Sequence, residues 1–331
     1  MAEAPETDLL YGDTDTGKSA QVREFAEYEF EQTGMITRAI IADSTVDPYR
    51  DLIITEDNPK GIIQAANIKG MRDPWNRLEL MGQGYWPRAT PRKEGGFNIV
   101  MDPPAVKDGR IMVGERKVGQ VVIEGLSTVS KLLLQDHADH ADTRPMWGSG
   151  KDGVSMFESE ALVQTSPGAA PIIQKTKIGR AVGGHFGSVQ GWVLNVLIPR
   201  FSELRYVDRI VWTAHTGRGI DDFSGLAGKA LGPATVGQAA VDKTSQLFGH
   251  TFHFEVDTKF GSDGKVKRTF KAWFISHPSE EMKGMNWPAK VSLSVERAKE
   301  LLRIHPYGYI DLTEKGMKQW LEFLHPKPAR A

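Results

Sequence analysis

The chain contains no cysteine in 331 residues. That excludes a disulfide scaffold, a zinc ribbon or finger, an iron–sulfur cluster and a thiol nucleophile, and it leaves the redox compartment open. No run of about 18 apolar residues occurs, so no transmembrane helix and no membrane partner are expected. The first residues, Met1 to Asp8, lack the basic and apolar blocks of a secretory leader, and the expectation is a soluble, cytoplasmic protein. Charge of one sign is also missing: 41 Lys and Arg face 42 Asp and Glu, a formal net charge of −1. A polybasic protein that coats nucleic acid by bulk electrostatics is excluded, whereas a local basic groove is not. No fixed repeat period appears, so the 34 glycines point to long loops. Hydrophobic content of 40 % and charged content of 25 % are ordinary for a globular chain, and the length allows one large domain with insertions or two domains.

What is present starts with a short apolar strand, Leu9–Tyr11, a glycine-rich turn and a helix from about Lys18 to Gln32. Val22, Phe25, Ala26 and Phe30 recur at helical spacing and are expected to face a sheet. Gly34 reads as the helix stop, and Ile36 to Ala42 as a second strand ending at Asp43. Strand, helix and strand in this order open an α/β domain with a parallel sheet. Gly119 to Ile123 and Arg209 to Ala214 read as buried central strands, ending at Glu124 and His215. Ser127 is expected to cap a following helix that runs to Leu134. Phe97 to Met101 is expected to form a small hairpin with Arg110 to Val113. Phe248 to Val256 and Val266 to Ile275 are read as a late hairpin turning at Gly261 to Gly264. Amphipathic helices are expected near Val295–Arg303 and Thr313–Leu324, capped by Ser294 and Thr313.

One motif is specific. Gly12, Asp13, Thr14, Asp15, Thr16, Gly17, Lys18 and Ser19 match the pattern G-x-x-x-x-G-K-[ST], with Ala20 next, between a strand and a helix. Glycines at both ends let backbone N–H groups turn inward to cradle phosphate oxygens, and the helix N-terminus adds its positive dipole end. Lys18 would reach the β- and γ-phosphates, and the Ser19 hydroxyl would ligate Mg²⁺. The side chains of Asp13 and Asp15 must then point away from the phosphates. Glu124, at the end of a buried strand, is the candidate second acidic group, holding the metal through water or polarising the attacking water. Asp43 is a candidate general base, with Asp47 as a rival, and His215 a candidate sensor of the γ-phosphate. ATP and Mg²⁺ are the implied cofactors.

The P-loop, the acidic strand end, the Val211–His215 strand, Gly232-Pro233 and the late hairpin with Phe252 to Glu255 together resemble RecA-like ATPases. More closely, the set is similar to phage-encoded RecA-related single-strand annealing ATPases. That resemblance, over roughly residues 8 to 278, implies a RecA-like P-loop NTPase core with a mainly parallel central sheet flanked by helices, a late β-hairpin and a C-terminal helical extension. It further implies hydrolysis of ATP, assembly as a ring or filament on single-stranded DNA, nucleotide held between subunits, and residence in a host cytoplasm. The expected division is a core over 1–278, with insertions near 71–117 and 137–184, and an extension over 279–331. Glu124 stands where the family usually has Asp.

Two other roles keep the P-loop and change its use: an ATPase that assembles or remodels a protein complex, and a structural subunit that binds nucleotide without acting on DNA. Residues 197 to 331 carry 20 basic and 15 acidic groups, so the mildly basic half is C-terminal. Lys259, Lys265, Lys267, Arg268 and Lys271 with Phe260, Phe270 and Trp273 would suit a nucleic-acid backbone, or a solvated hairpin with its aromatics in the core. Arg218 and Lys229 occupy the loop after His215. Asp136 to Asp142, with His137 and His140, reads as a solvated helix end rather than a metal site.

Overall fold

A computed structural model describes residues 4–43, 46–69, 71, 73–92, 97–139, 155–163, 172–180, 183–217, 231–235, 243–260, 265–279, 285–313 and 315–326, with backbone alone over 155–163, 172–180 and 183–185. The chain begins with β1 (Glu6–Gly12), α1 (Lys18–Thr33), β2 (Ile36–Ile41), a 3₁₀ turn (Asp47–Leu52), β3 (Ile63–Asn67) and α2 (Pro74–Met81). It continues through β4 (Trp86–Pro91), β5 (Phe97–Asp102), β6 (Val106–Lys107), β7 (Arg110–Val113), β8 (Arg116–Glu124) and α3 (Leu126–Asp139). Next come β9 (Ser155–Val163), β10 (Ile172–Arg180), α4 (Gly183–Trp192), a π turn (Val193–Leu197), α5 (Ile198–Ser202), β11 (Arg209–Gly217) and β12 (Gly232–Pro233). The remainder is β13 (His250–Phe260), β14 (Val266–Trp273), β15 (His277–Pro278), β16 (Asn286–Trp287), β17 (Lys290–Val291), α6 (Val295–Ile304), β18 (Tyr309–Asp311) and α7 (Lys318–Leu324).

The fold is mixed α/β, built on a large, mainly parallel sheet. Its order is β18-β14-β13-β1-β11-β8-β2-β3, and from β13 to β3 every neighbouring pair is parallel. β14, β17 and β18 run antiparallel at the β13 edge, so segments near the C-terminus extend the same sheet. Central strands are apolar on both faces because both faces are covered. Leu9, Tyr11, Ile40, Ile123 and Trp212 pack towards α3 and the helices of 183–202. Leu10, Ala39, Val122, Val211 and Phe252 pack towards α1 and α7, against Val22, Phe25, Trp320 and Leu321. Neighbouring residues of one strand therefore serve opposite layers, as the two-residue period requires. No helix among the described residues is long and apolar enough to cross a membrane.

Several local expectations change. Phe30 is 40 % exposed rather than facing the sheet; Tyr28 and Glu29 are the buried residues of that turn, and the Arg116 guanidinium lies over the Phe30 ring. Phe97–Asp102 pairs antiparallel with Trp86–Pro91, while Arg110–Val113 pairs with Val106–Lys107 and Arg116–Lys117. Tight local turns thus win over the longer pairing expected between 97–101 and 110–113. Thr313 caps no helix. It donates to Asp311, and α7 starts later, at Lys318. Ser294 does cap α6, its hydroxyl accepting from the Arg297 N–H at 3.3 Å. His137 is not solvated but buried against Trp75, with ring centres 5.6 Å apart. His140 to Asp142 and the turn 261–264 lie outside the described residues.

At the N-terminal edge of the parallel strands, buried Arg209 donates to Asp8 at 2.6 Å and to Glu6, and His325 Nε2 lies 3.5 Å from Glu6. This network joins β1, β11 and the end of α7. Burial pushes the Glu6 carboxyl up, but His325 and Arg209 outweigh it and hold the group at about 2. A depressed carboxylate stabilises the fold above its unfolded value of 4.5 and loses that contribution as pH falls towards 2. Glu6→Gln should therefore lower the melting temperature at pH 7, with the gap to the parent protein narrowing between pH 4.5 and 2 in an acid titration of thermal unfolding.

Candidate nucleotide site

The site is assembled at the C-terminal ends of β1, β11, β8 and β2. Parallel order puts them side by side, and β11 separates the P-loop strand from the Glu124 strand. Gly12 ends β1 directly beside β13. A Cβ there would lie 2.5 Å from the Phe254 carbonyl oxygen and 2.8 Å from Thr16 Oγ1, so glycine alone permits this approach. Gly17, with φ +86°, is left-handed and delivers the chain into α1. Asp13, Thr14 and Asp15 are exposed, as the phosphate reading requires of the two carboxylates; Thr16 is buried, Ser19 half-buried and Ala20 exposed on the first turn.

Lys18 is 8 % exposed and folds back into the loop. Its Nζ donates to the Gly12 carbonyl at 2.8 Å, the Asp13 carbonyl at 2.6 Å and Thr16 Oγ1 at 3.2 Å. Burial pushes the ammonium down to about 8, against the opposing pull of Asp13, Asp43, Asp15 and Glu124. The lysine thus sits among four carboxylates.

Glu124 is fully buried at the end of β8. Its side chain shares the α1 side of the strand with Val122, by alternation. Oε2 accepts from the Tyr49 hydroxyl, and Oε1 is buried with no hydrogen-bond partner of normal geometry among the described residues. Burial raises the carboxyl above its ordinary value; Ser19, Tyr49 and Lys18 pull it back, while Asp43 adds to the rise. A buried carboxylate oxygen left open beside the Ser19 hydroxyl is a hard-oxygen donor pair, and these residues fit Mg²⁺ by chemistry. Among the described residues no cluster of three or more His, Asp or Glu forms a separate metal centre.

Asp43 lies beside this carboxylate. Thr128 donates to its Oδ1, and its Oδ2 is 3.7 Å from His215 Nε2. Gly125, with φ +89°, makes room: a Cβ there would come 2.6 Å from the Asp43 carboxyl carbon. Asp47 is turned away instead, exposed and paired with Arg50 at 2.5 Å. His215 sits opposite Gly12 in the β1–β11 register, inside the strand rather than at its end. Burial, then the nearby Lys18 charge, holds the imidazole below its ordinary value, against the pull of Asp43. The structure therefore brings Lys18, Ser19, Glu124, Asp43 and His215 to one end of the sheet.

Four supporting residues escaped the sequence reading. Tyr49 reaches Glu124 from a turn 75 positions away. Thr128 holds Asp43, and Thr216 donates to the Asp13 carboxylate. Ser127, expected as a cap, lies inside α3; its hydroxyl accepts from the His215 N–H at 2.9 Å and donates to the Ala234 carbonyl at 2.6 Å. Arg218 and Lys229 lie outside the described residues. On the late hairpin, Phe260 is 79 % exposed at the tip rather than in the core.

No protein-family model matches the chain, and no curated protein matches it. Among solved structures, the flagellar accessory protein FlaH from Methanocaldococcus jannaschii is similar at 10 % identity, with 81 % of this chain and 78 % of that chain covered and a TM-score of 0.36. A KaiC-like protein from Pyrococcus horikoshii is similar at 12 % identity, with the same coverage and a TM-score of 0.39. At such identity and score neither similarity bears on the reaction.

Proposed function

We propose that the chain is a RecA-like, Mg²⁺-dependent ATPase that assembles as a ring or filament on single-stranded DNA in phage recombination or replication, within the host cytoplasm. The observation that carries the ATPase reading is the P-loop at Gly12–Ser19 with the open oxygen of buried Glu124 beside Ser19. On this reading the core spans 1–278 and residues 279–331 are an extension that adds strands to its sheet.

Binding ATP exchanges hydrogen bonds. Lys18 leaves the Gly12 and Asp13 carbonyls for the β- and γ-phosphate oxygens, and the amides of the loop and first helical turn face the same oxygens. Ser19 and Glu124 would hold Mg²⁺, which when bound neutralises charge on the phosphates. Glu124 orients the attacking water through its open oxygen. His215 offers a ring N–H to the γ-phosphate, with the Asp43 carboxylate 3.7 Å from its Nε2. The carboxylates Asp13 and Asp15 stay in solvent, away from the phosphates.

The DNA part is supported by the late hairpin. Phe260 is exposed at a tip that also carries Lys259, Lys265, Lys267 and Arg268, an aromatic and basic pairing suited to a single strand. Its test is ATP turnover with and without single-stranded DNA across a salt series. Stimulation that falls steeply with salt is expected. Turnover indifferent to DNA, with Phe260→Ala equally indifferent, would remove the DNA claim and favour an ATPase that assembles a protein complex.

A further inference from the structure

Tyr49 is a buried phenol whose hydroxyl donates to Glu124 Oε2. Neither residue is near the other in sequence, and three anchors bring them together. Helical geometry in the Asp47–Leu52 turn is broken at Tyr49, where φ is −135° and ψ 16°, and the ring points inward while Asp47 and Arg50 stay in solvent. Arg23 of α1, one helical turn beyond Ser19, donates to the Pro48 carbonyl at 3.3 Å and to Asp51 at 2.8 Å. Ile53 bridges to Ile63 at the start of β3. The turn is thereby fastened both to the helix that begins in the P-loop and to the sheet edge.

The consequence falls on the carboxylate. A glutamate at a strand end has three rotatable bonds, and in water it would sample many orientations. Here Oε2 is tied to Tyr49, and Oε1 is buried with no hydrogen bond of normal geometry among the described residues. We infer that Tyr49 is a positioning residue: it selects the Glu124 rotamer that presents Oε1 to the reacting phosphate and its water. The phenol itself touches neither. This inference rests on the proposed hydrolytic role of Glu124. Fixing a reacting group in advance saves the reorganisation that would otherwise be part of the barrier, so the loss should appear in the chemical step and not in ATP binding.

The test is a double-mutant cycle read by single-turnover hydrolysis of ATP and by titration with a non-hydrolysable ATP analogue. Tyr49→Phe keeps the ring and removes the donor. It should slow hydrolysis about tenfold or more, leave the analogue affinity unchanged, and cause no additional slowing in a Glu124→Gln background. Arg23→Gln, which loosens the turn from the surface without touching the buried pair, should slow hydrolysis less and likewise only while Glu124 is intact. This second variant keeps the inference testable if Tyr49→Phe folds poorly. Equal slowing by Tyr49→Phe in both backgrounds, or a parent-like rate in Tyr49→Phe while Glu124→Gln is slow, overturns the positioning role and leaves the ATPase reading standing. A parent-like rate in Glu124→Gln overturns that reading, and the inference falls with it.

Discussion

Lys18→Ala should lose ATP hydrolysis by at least about 10²-fold and weaken ATP binding, while the protein still folds. The size follows from the local charge. Asp13, Asp15, Asp43 and Glu124 all act on Lys18, and the ammonium is the group that offsets them. Removing it leaves Asp43 and Glu124 without that counter-charge where a triphosphate would sit. The same side chain is the donor that bridges the two ends of the loop through the Gly12 and Asp13 carbonyls, so its loss also frees the loop backbone. Lys18 belongs to neither hydrophobic cluster, and circular dichroism should be unchanged. Phosphate release and calorimetric titration with ATP measure the two losses. Turnover equal to that of the parent protein would place the chemistry elsewhere.

Glu124→Gln should separate activity from stability. The amide keeps an oxygen to accept from Tyr49 and nearly the same volume, so packing is conserved. What disappears is the charge. Burial holds this carboxyl above its ordinary value, which means that ionising it is harder in the folded protein than in the unfolded chain. Linkage gives the sign: a carboxyl raised on folding contributes stability at low pH and loses it as pH climbs through the folded value. The neutral amide avoids that loss, so the variant should melt at or above the parent temperature at pH 7. Hydrolysis should nevertheless fall by about 10²–10⁴-fold, the usual worth of a group that handles the proton of an attacking nucleophile, with ATP still bound. Thermal unfolding and kinetic assays on one preparation decide the matter. A parallel fall in stability and activity would identify Glu124 as structural.

How far the sequence carried the account depends on how local each feature is. Gly12 to Ser19 is one continuous segment whose conformation is dictated by its own glycines and the helix that follows, and it is readable without any tertiary contact. The strands that carry Glu124 and His215 are readable too, because strands buried on both faces leave continuous apolar runs such as Val121–Ile123 and Ile210–Trp212. That these ends converge follows from parallel order, which no single segment encodes. The donors around them were not readable. Tyr49, Thr128 and Thr216 each act on a carboxylate far away in the chain, and a lone Tyr or Thr beside a strand end has no periodicity to mark it. Ser127 shows the opposite failure: its local context suits a cap, and a tertiary partner, the His215 N–H, took the hydroxyl instead. Position 30 failed in a related way. Helical spacing assigned Phe30 to the buried face, but the width of that face is set by the sheet beneath it.

The most direct test of the central claim is phosphate release by the purified full chain, measured with saturating ATP, with and without Mg²⁺ and with single-stranded DNA present or absent. The account predicts saturable turnover that requires Mg²⁺ and disappears in Lys18→Ala. Absence of turnover under all four conditions, together with no detectable ATP binding, would contradict it.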